Sequence, residues 1–172
     1  MFRFFLRLAA VCAAACGLVP AAFAHAILEH REAPVGSTYK AVLRVPHGCN
    51  GSATTAVRVR IPEGVIDVKP IPKPGWTLKI VTGQYAKAHS LSGTQVSEGA
   101  TEIDWSGGTL PGNQDGEFAF TSFLASDLQP GQTIYFPVVQ ECVKGVQRWI
   151  DIPTARSDGS EPAPGLKLVP KP

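Results

Sequence analysis

The chain has 172 residues, of which 44% are hydrophobic, with 16 basic against 14 acidic side chains and four cysteines. Setting aside Arg3 and Arg7 leaves 14 of each charge, so the rest of the chain lacks the basic excess that a nucleic-acid binder needs. Met1 is the sole methionine, which excludes a thioether site for Cu(I) in the remainder.

In chain order, the start "MFRFFLRLAAVCAAACGLVPAAFA" joins a basic opening, Arg3 and Arg7, to an apolar run ending near Val19 and a small-x-small triplet, Ala22-Phe23-Ala24. This predicts a secretory signal peptide over residues 1–24, cut after Ala24, because the apolar run is too short to span a bilayer. Ala24-His25-Ala26 offers a competing cut two residues later. Cys12 and Cys16 fall within the signal, and Cys16 follows three alanines where a lipidation site wants a large apolar residue. No later stretch is long and apolar enough to cross a membrane. The expected product is soluble and freely diffusing, in the periplasm or outside the cell.

Beyond the signal, one domain is expected over residues 25–153, followed by a Pro-rich tail, 154–172, expected to be loosely attached. "TYKAVLRV" puts Tyr39, Ala41, Leu43 and Val45 on one face, and "TAVRVRI" puts Val57, Val59 and Ile61 opposite Arg58 and Arg60. This period of two predicts half-buried strands. "WTLKIVT", "TEIDWS", "EFAFTSFL", "TIYFPVVQEC" and "VQRWIDI" read the same way, and no window carries a helical period. Turn signals separate them: Pro74-Gly75, Pro111-Gly112, Pro130-Gly131, Pro164-Gly165 and "SGGT" at Ser106 to Thr109. Asn50-Gly51-Ser52 matches a glycosylation acceptor but reads as a turn. Short strands punctuated in this way indicate an all-β, immunoglobulin-like β-sandwich.

Cys49 and Cys142 remain once the signal is gone. An even pair in an exported chain predicts a disulfide, and closing so long a loop contributes at most about 4–5 kcal/mol in the chain-entropy view. A thiolate copper or zinc site is the alternative, disfavoured because no second ligand pair accompanies them.

Cutting after Ala24 would give His25 a free α-amine beside its imidazole, two nitrogen ligands on one residue that close a chelate with no folding cost. Nitrogen ligands in a tetragonal set favour Cu(II). An α-amine ordinarily titrates at roughly 7.7–8.0, so copper must displace a proton and binding should weaken as pH falls. The bland reading is that His25 merely marks where the signal stopped. In "GVQRWIDIP", alternation puts Val146, Ile150 and Ile152 on the core face and turns Trp149 outward with Gln147 and Asp151. In "GEFAFTSFL", Phe118 and Phe120 look inward and Glu117 outward. Trp149 and Glu117 are therefore candidates for a surface site; an edge tryptophan and a solvated glutamate explain the pattern equally well. Trp76 and Trp105 read as core. His30, His47 and His89 read as surface or hydrogen-bonded histidines, with His30 and Glu29 as reserve ligands because they lie near His25. No nucleophile, zincin or phosphate-loop motif stands out, so the chain is expected not to be an enzyme.

The blocks "HAILEHREAPVGSTYKAVLRVPHGC", "TTAVRVRIPEGV", "KPGWTLKI", "IDWSGGTLPG", "GEFAFTSF", "YFPVVQEC", "RWIDIP" and "EPAPGLKL" occur in an order that resembles the YcnI-like copper-binding proteins over nearly the whole chain after the signal. That resemblance implies an exported β-sandwich binding Cu(II) through the amine and side chain of His25 and a carboxylate, Glu117, with Trp149 close to the metal. The insertion-like "NQDG" before Glu117 leaves Asp115 as a competing carboxylate. Implied partners are the copper ion and other periplasmic copper chaperones or copper transport proteins. The histidine start also resembles CopC-like copper carriers, but those add a D-x-H pair that this chain lacks. Two other functions remain open: a copper-dependent oxidative enzyme, which would want a second histidine ligand, and a metal-free immunoglobulin-like structural module.

Overall fold

Alternating apolar side chains build sheets, and here they build twelve strands and no helix among the residues that the computed structural model describes, 25–154 and 160–172. The expected signal, residues 1–24, lies outside them. The strands are β1 (Ile27–Leu28), β2 (Glu32–Pro34), β3 (Thr38–Val45), β4 (Thr54–Arg60), β5 (Val65–Pro70) and β6 (Thr77–Leu91). They continue with β7 (Thr94–Leu110), β8 (Gly116–Leu124), β9 (Thr133–Tyr135), β10 (Val138–Cys142), β11 (Val146–Trp149) and β12 (Gly165–Val169). A four-stranded sheet, β1-β3-β8-β5, faces a five-stranded sheet, β11-β10-β4-β7-β6, and a third sheet, β2-β12-β9, has three strands.

The core forms where the inward residues of the two larger sheets meet. Tyr39, Ala41, Leu43 and Val45 of β3 are all buried, as are Val57 and Val59 of β4, the faces that alternation assigns. Trp105 of β7 meets Phe118 of β8 edge to face at 5.6 Å, and its indole N–H donates to the Ile71 carbonyl at 3.2 Å. Each such large side chain taken out of water stabilises the fold by about 1.5–3 kcal/mol. Trp76, expected in the core, is only partly buried and lies against Phe118 at 5.1 Å.

Three expectations need correction. "TIYFPVVQEC" is two strands rather than one: Pro137 has no N–H for a ladder, and the chain changes sheet there, β9 pairing with β12 and β10 with β4. "SGGT" is a bulge inside β7 rather than a turn. Gly107 has φ +75° and the Trp76 ring lies on Gly108, where a Cβ would come within 2.2 Å of it. The tail is not loose at its end: in β12, Leu166 and Leu168 are fully buried, and the strand pairs parallel with β2 and antiparallel with β9. Its period of two is hidden among prolines and serines.

The disulfide forms as expected. Cys49 and Cys142 are bridged with their Cα atoms 6.0 Å apart. Asn50 and Gly51, at φ 50° and 80°, make the tight turn beside it, closed by Ser52 N–H donating to the Cys49 carbonyl at 2.9 Å.

Candidate metal centre

His25 lies just before β1, where Ala26 and Leu28 are buried and alternation leaves His25 half-buried. β1 is the edge of the four-stranded sheet and β11 the edge of the five-stranded one, so His25 stands at the seam between two sheet edges. Across that seam the His25 ring meets Trp149 edge to face, centroids 5.7 Å apart. A cleft of about 260 Å3 opens beside it, between the start of β1, Arg31 and the Pro162–Gly165 segment, where Gly165 opens β12 in place of the turn expected at Pro164-Gly165.

Trp149 reaches this position from the side opposite to the one that alternation predicts. It is only 3% exposed, whereas Val146 and Ile150 are 44% and 43% exposed. The reason is register: Trp149 pairs with Val138 and Gln147 with Gln140, both of whose partners on β10 point into the core. An edge strand leaves the aliphatic residues on its outer face uncovered, and hydrophobicity alone chose the wrong face. The indole N–H donates to Gln140 Oε1 at 3.1 Å.

Glu117 is exposed on β8, as alternation predicts. The register runs Ile27, Arg44, Glu117 across β1, β3 and β8, so the Glu117 backbone stands about two strand spacings, roughly 10 Å, from that of Ile27. Its carbonyl accepts from Lys73 Nζ at 3.1 Å. The competing carboxylate, Asp115, is paired with Arg44 Nε at 2.8 Å. Glu29 and His30 are exposed just past β1, and the His30 carbonyl accepts the buried Tyr39 hydroxyl at 2.7 Å; burial pushes that hydroxyl well above its ordinary range. Among the described residues no three His, Cys, Asp or Glu side chains converge as a metal cluster. A site built from one residue's amine and ring plus one carboxylate contains only two such side chains, so it does not require that convergence.

His89, read from the sequence as a surface or hydrogen-bonded histidine, is the hydrogen-bonded kind, though nothing in the sequence named its partners. His89 of β6 is buried, its Nε2 2.7 Å from Glu63 Oε1 and its Nδ1 3.1 Å from Asp127 Oδ1. Glu63 is held below the usual carboxylate range: burial acts to raise it, but bonds from His89 and the Ala86 N–H outweigh that. Asp127 is lowered chiefly by Lys87, against burial, and further by His89. The three residues are far apart in sequence, and no local spacing announces them.

A family model described as a domain of unknown function (DUF1775) matches residues 25–168. The chain belongs to this family. DUF1775 is the family of the YcnI-like proteins, and in this chain the match opens on His25 itself. The DUF1775 domain is similar to an uncharacterized protein from Nocardia farcinica whose crystal structure has an immunoglobulin-like fold. The two share 27% identity over 84% of this chain and 98% of that one, with a TM-score of 0.62. The all-β, immunoglobulin-like architecture is thereby shared with a solved structure. A non-cellulosomal cohesin from Archaeoglobus fulgidus (12% identity, 84% of this chain, 85% of that, TM-score 0.35) is too distant to bear on the argument. The same holds for the sixth cohesin of Acetivibrio cellulolyticus scaffoldin B (10% identity, 84% and 97%, TM-score 0.37). No curated protein matches the DUF1775 chain.

Proposed function

We propose that this DUF1775 protein is an exported Cu(II) carrier rather than an enzyme, holding copper as cargo in periplasmic copper trafficking. Removal of residues 1–24 makes His25 the first residue, and its α-amine and imidazole bind the ion together. Glu117 supplies the carboxylate, offsetting charge, and Trp149 lies beside the bound ion. The observation that carries the reading is the His25–Trp149 contact at the seam, 5.7 Å between ring centroids, at the residue where the family match begins. An aromatic ring packed on the histidine limits its rotamers before any metal arrives, which lowers the ordering cost of binding. Because the amine must lose a proton, affinity falls as pH falls through the amine's range.

The test is a Cu(II) titration of the mature protein beginning at His25, followed by tryptophan emission and by competition with a chelator of known affinity. Quenching at one equivalent is expected, and an extra residue placed ahead of His25 should abolish the tight phase, since it ties up the amine. Equal affinity in the His25→Ala variant would overturn the assignment.

A further inference from the structure

Gln140 occupies an inward position of β10, next in step after Val138, and is fully buried. A buried primary amide has two N–H donors and a carbonyl acceptor to satisfy. Here the Nε2 donates to the His47 carbonyl at 2.6 Å and to Thr54 Oγ1 at 2.8 Å, while Oε1 accepts the Trp149 indole N–H at 3.1 Å. Chemistry allows only this orientation. An indole nitrogen can only donate and a carbonyl can only accept, so the amide oxygen must face Trp149 and the nitrogen must face His47.

The far side of this amide is itself anchored. His47 lies two residues before Cys49, Gln140 lies two before Cys142, and the disulfide joins the pair. The Cys49 N–H donates to Cys142 Sγ at 3.0 Å, tightening the same corner. A continuous set of contacts thus runs from the disulfide-pinned loop through one amide to the indole, and from the indole to His25.

We propose that Gln140 is a positioning residue: it fixes the plane of Trp149 against His25 from a disulfide-anchored frame. The proposal deepens the copper-binding reading and rests on it for its effect on copper. A buried indole without its partner would turn to find another, and the ring face offered to His25 would change with it.

The experiment uses the mature protein labelled with 15N-tryptophan, the Trp149 indole signal being assigned by its loss in Trp149→Phe. In metal-free Gln140→Met, that signal should shift upfield and exchange faster with solvent, while the Trp76 and Trp105 signals stay in place. Cu(II) affinity should fall roughly tenfold, the scale of losing an orienting partner next to a metal, and the Cu(II) electron paramagnetic resonance spectrum should change. Thr54→Val removes only the second acceptor of the amide, so it should lower stability without moving the indole signal or the copper affinity. That contrast separates positioning from simple support of the fold. If Gln140→Met fails to fold, Trp149→Phe deletes the same N–H from the other side and should alter the copper spectrum and weaken binding alike. An unmoved Trp149 signal in Gln140→Met, or wild-type copper affinity and spectrum in whichever variant folds, overturns the inference while leaving the copper carrier intact. Absence of copper binding in the wild-type protein overturns the carrier reading instead, and the metal-free indole signal then decides the positioning on its own.

Discussion

His89 and His25 belong to one sandwich and stand in opposite surroundings. Both ring nitrogens of His89 lie within hydrogen-bond distance of carboxylate oxygens. With both nitrogens engaged, the ring turns neither of them toward an open site. It fastens the far part of the β6–β7 hairpin, beyond the Arg60–Glu102 pairing with β4, to loops around Glu63 and Asp127. His25 lies instead at a seam, against an aromatic ring, on a residue whose backbone nitrogen becomes an amine if the preceding bond is cut. Burial and hydrogen bonding make the first a clasp, while the second is half-buried at a sheet edge.

The sharpest way to break this contrast is to exchange the expected losses. His89→Ala should destabilise the protein by about 3 kcal/mol in urea unfolding, since it empties a buried site and removes one partner from each of two carboxylates, with copper affinity unchanged. His25→Ala should do the reverse, weakening copper about 100-fold, or about 2.7 kcal/mol, with little change in unfolding. Copper loss in the His89 variant comparable to that in the His25 variant would erase the distinction. Glu117→Gln should weaken copper about tenfold, or about 1.4 kcal/mol. If Asp115→Asn weakens it and Glu117→Gln does not, the carboxylate has been misassigned and the Arg44 pair must open to release it.

The smallest effect concerns acid. Glu63 and Asp127 have lowered values in the folded protein, so each contributes stability that is fully present above its unfolded value, about 4. That contribution disappears as pH falls through the lower folded value. Both groups are about two-fifths exposed, so solvent screens much of the effect. The thermal midpoint should decline below about pH 4, and His89→Ala should flatten the decline. An identical pH profile in that variant would remove His89 from the account.

Much of the fold was legible where alternation met a two-sided environment. β3 and β8 lie inside the four-stranded sheet, and Tyr39, Ala41, Leu43, Val45, Phe118 and Phe120 are buried as their spacing predicts. The sorting failed on β11, an edge strand, because nothing covers the outer face and aliphatic residues there cost little. β12 was hidden for a related reason: five residues of alternation are too few to stand out in a Pro-rich segment. Of the candidate site, the sequence singles out His25 only through its place after an expected processing signal, and it gives no sign of the link from Trp149 to Gln140. A glutamine in a strand looks polar, and only the register of β10 with β4 and β11 shows that it points inward.

The pairing of β12 with β2 also sets an order of events during synthesis. Leu168 stands beside Ala33, so β2 gains its partner strand only once β12 has been made, whereas β1 pairs with the nearby β3. A ribosome adds about 5–20 residues per second, which leaves the N-terminal segment without that strand for several seconds. Of the described strands, β12 comes after all the others in the chain, and it is the one that holds β2 down. A C-terminal truncation before Gly165 should therefore loosen the opposite end of the protein, and an affinity tag is best separated from Val169 by a spacer.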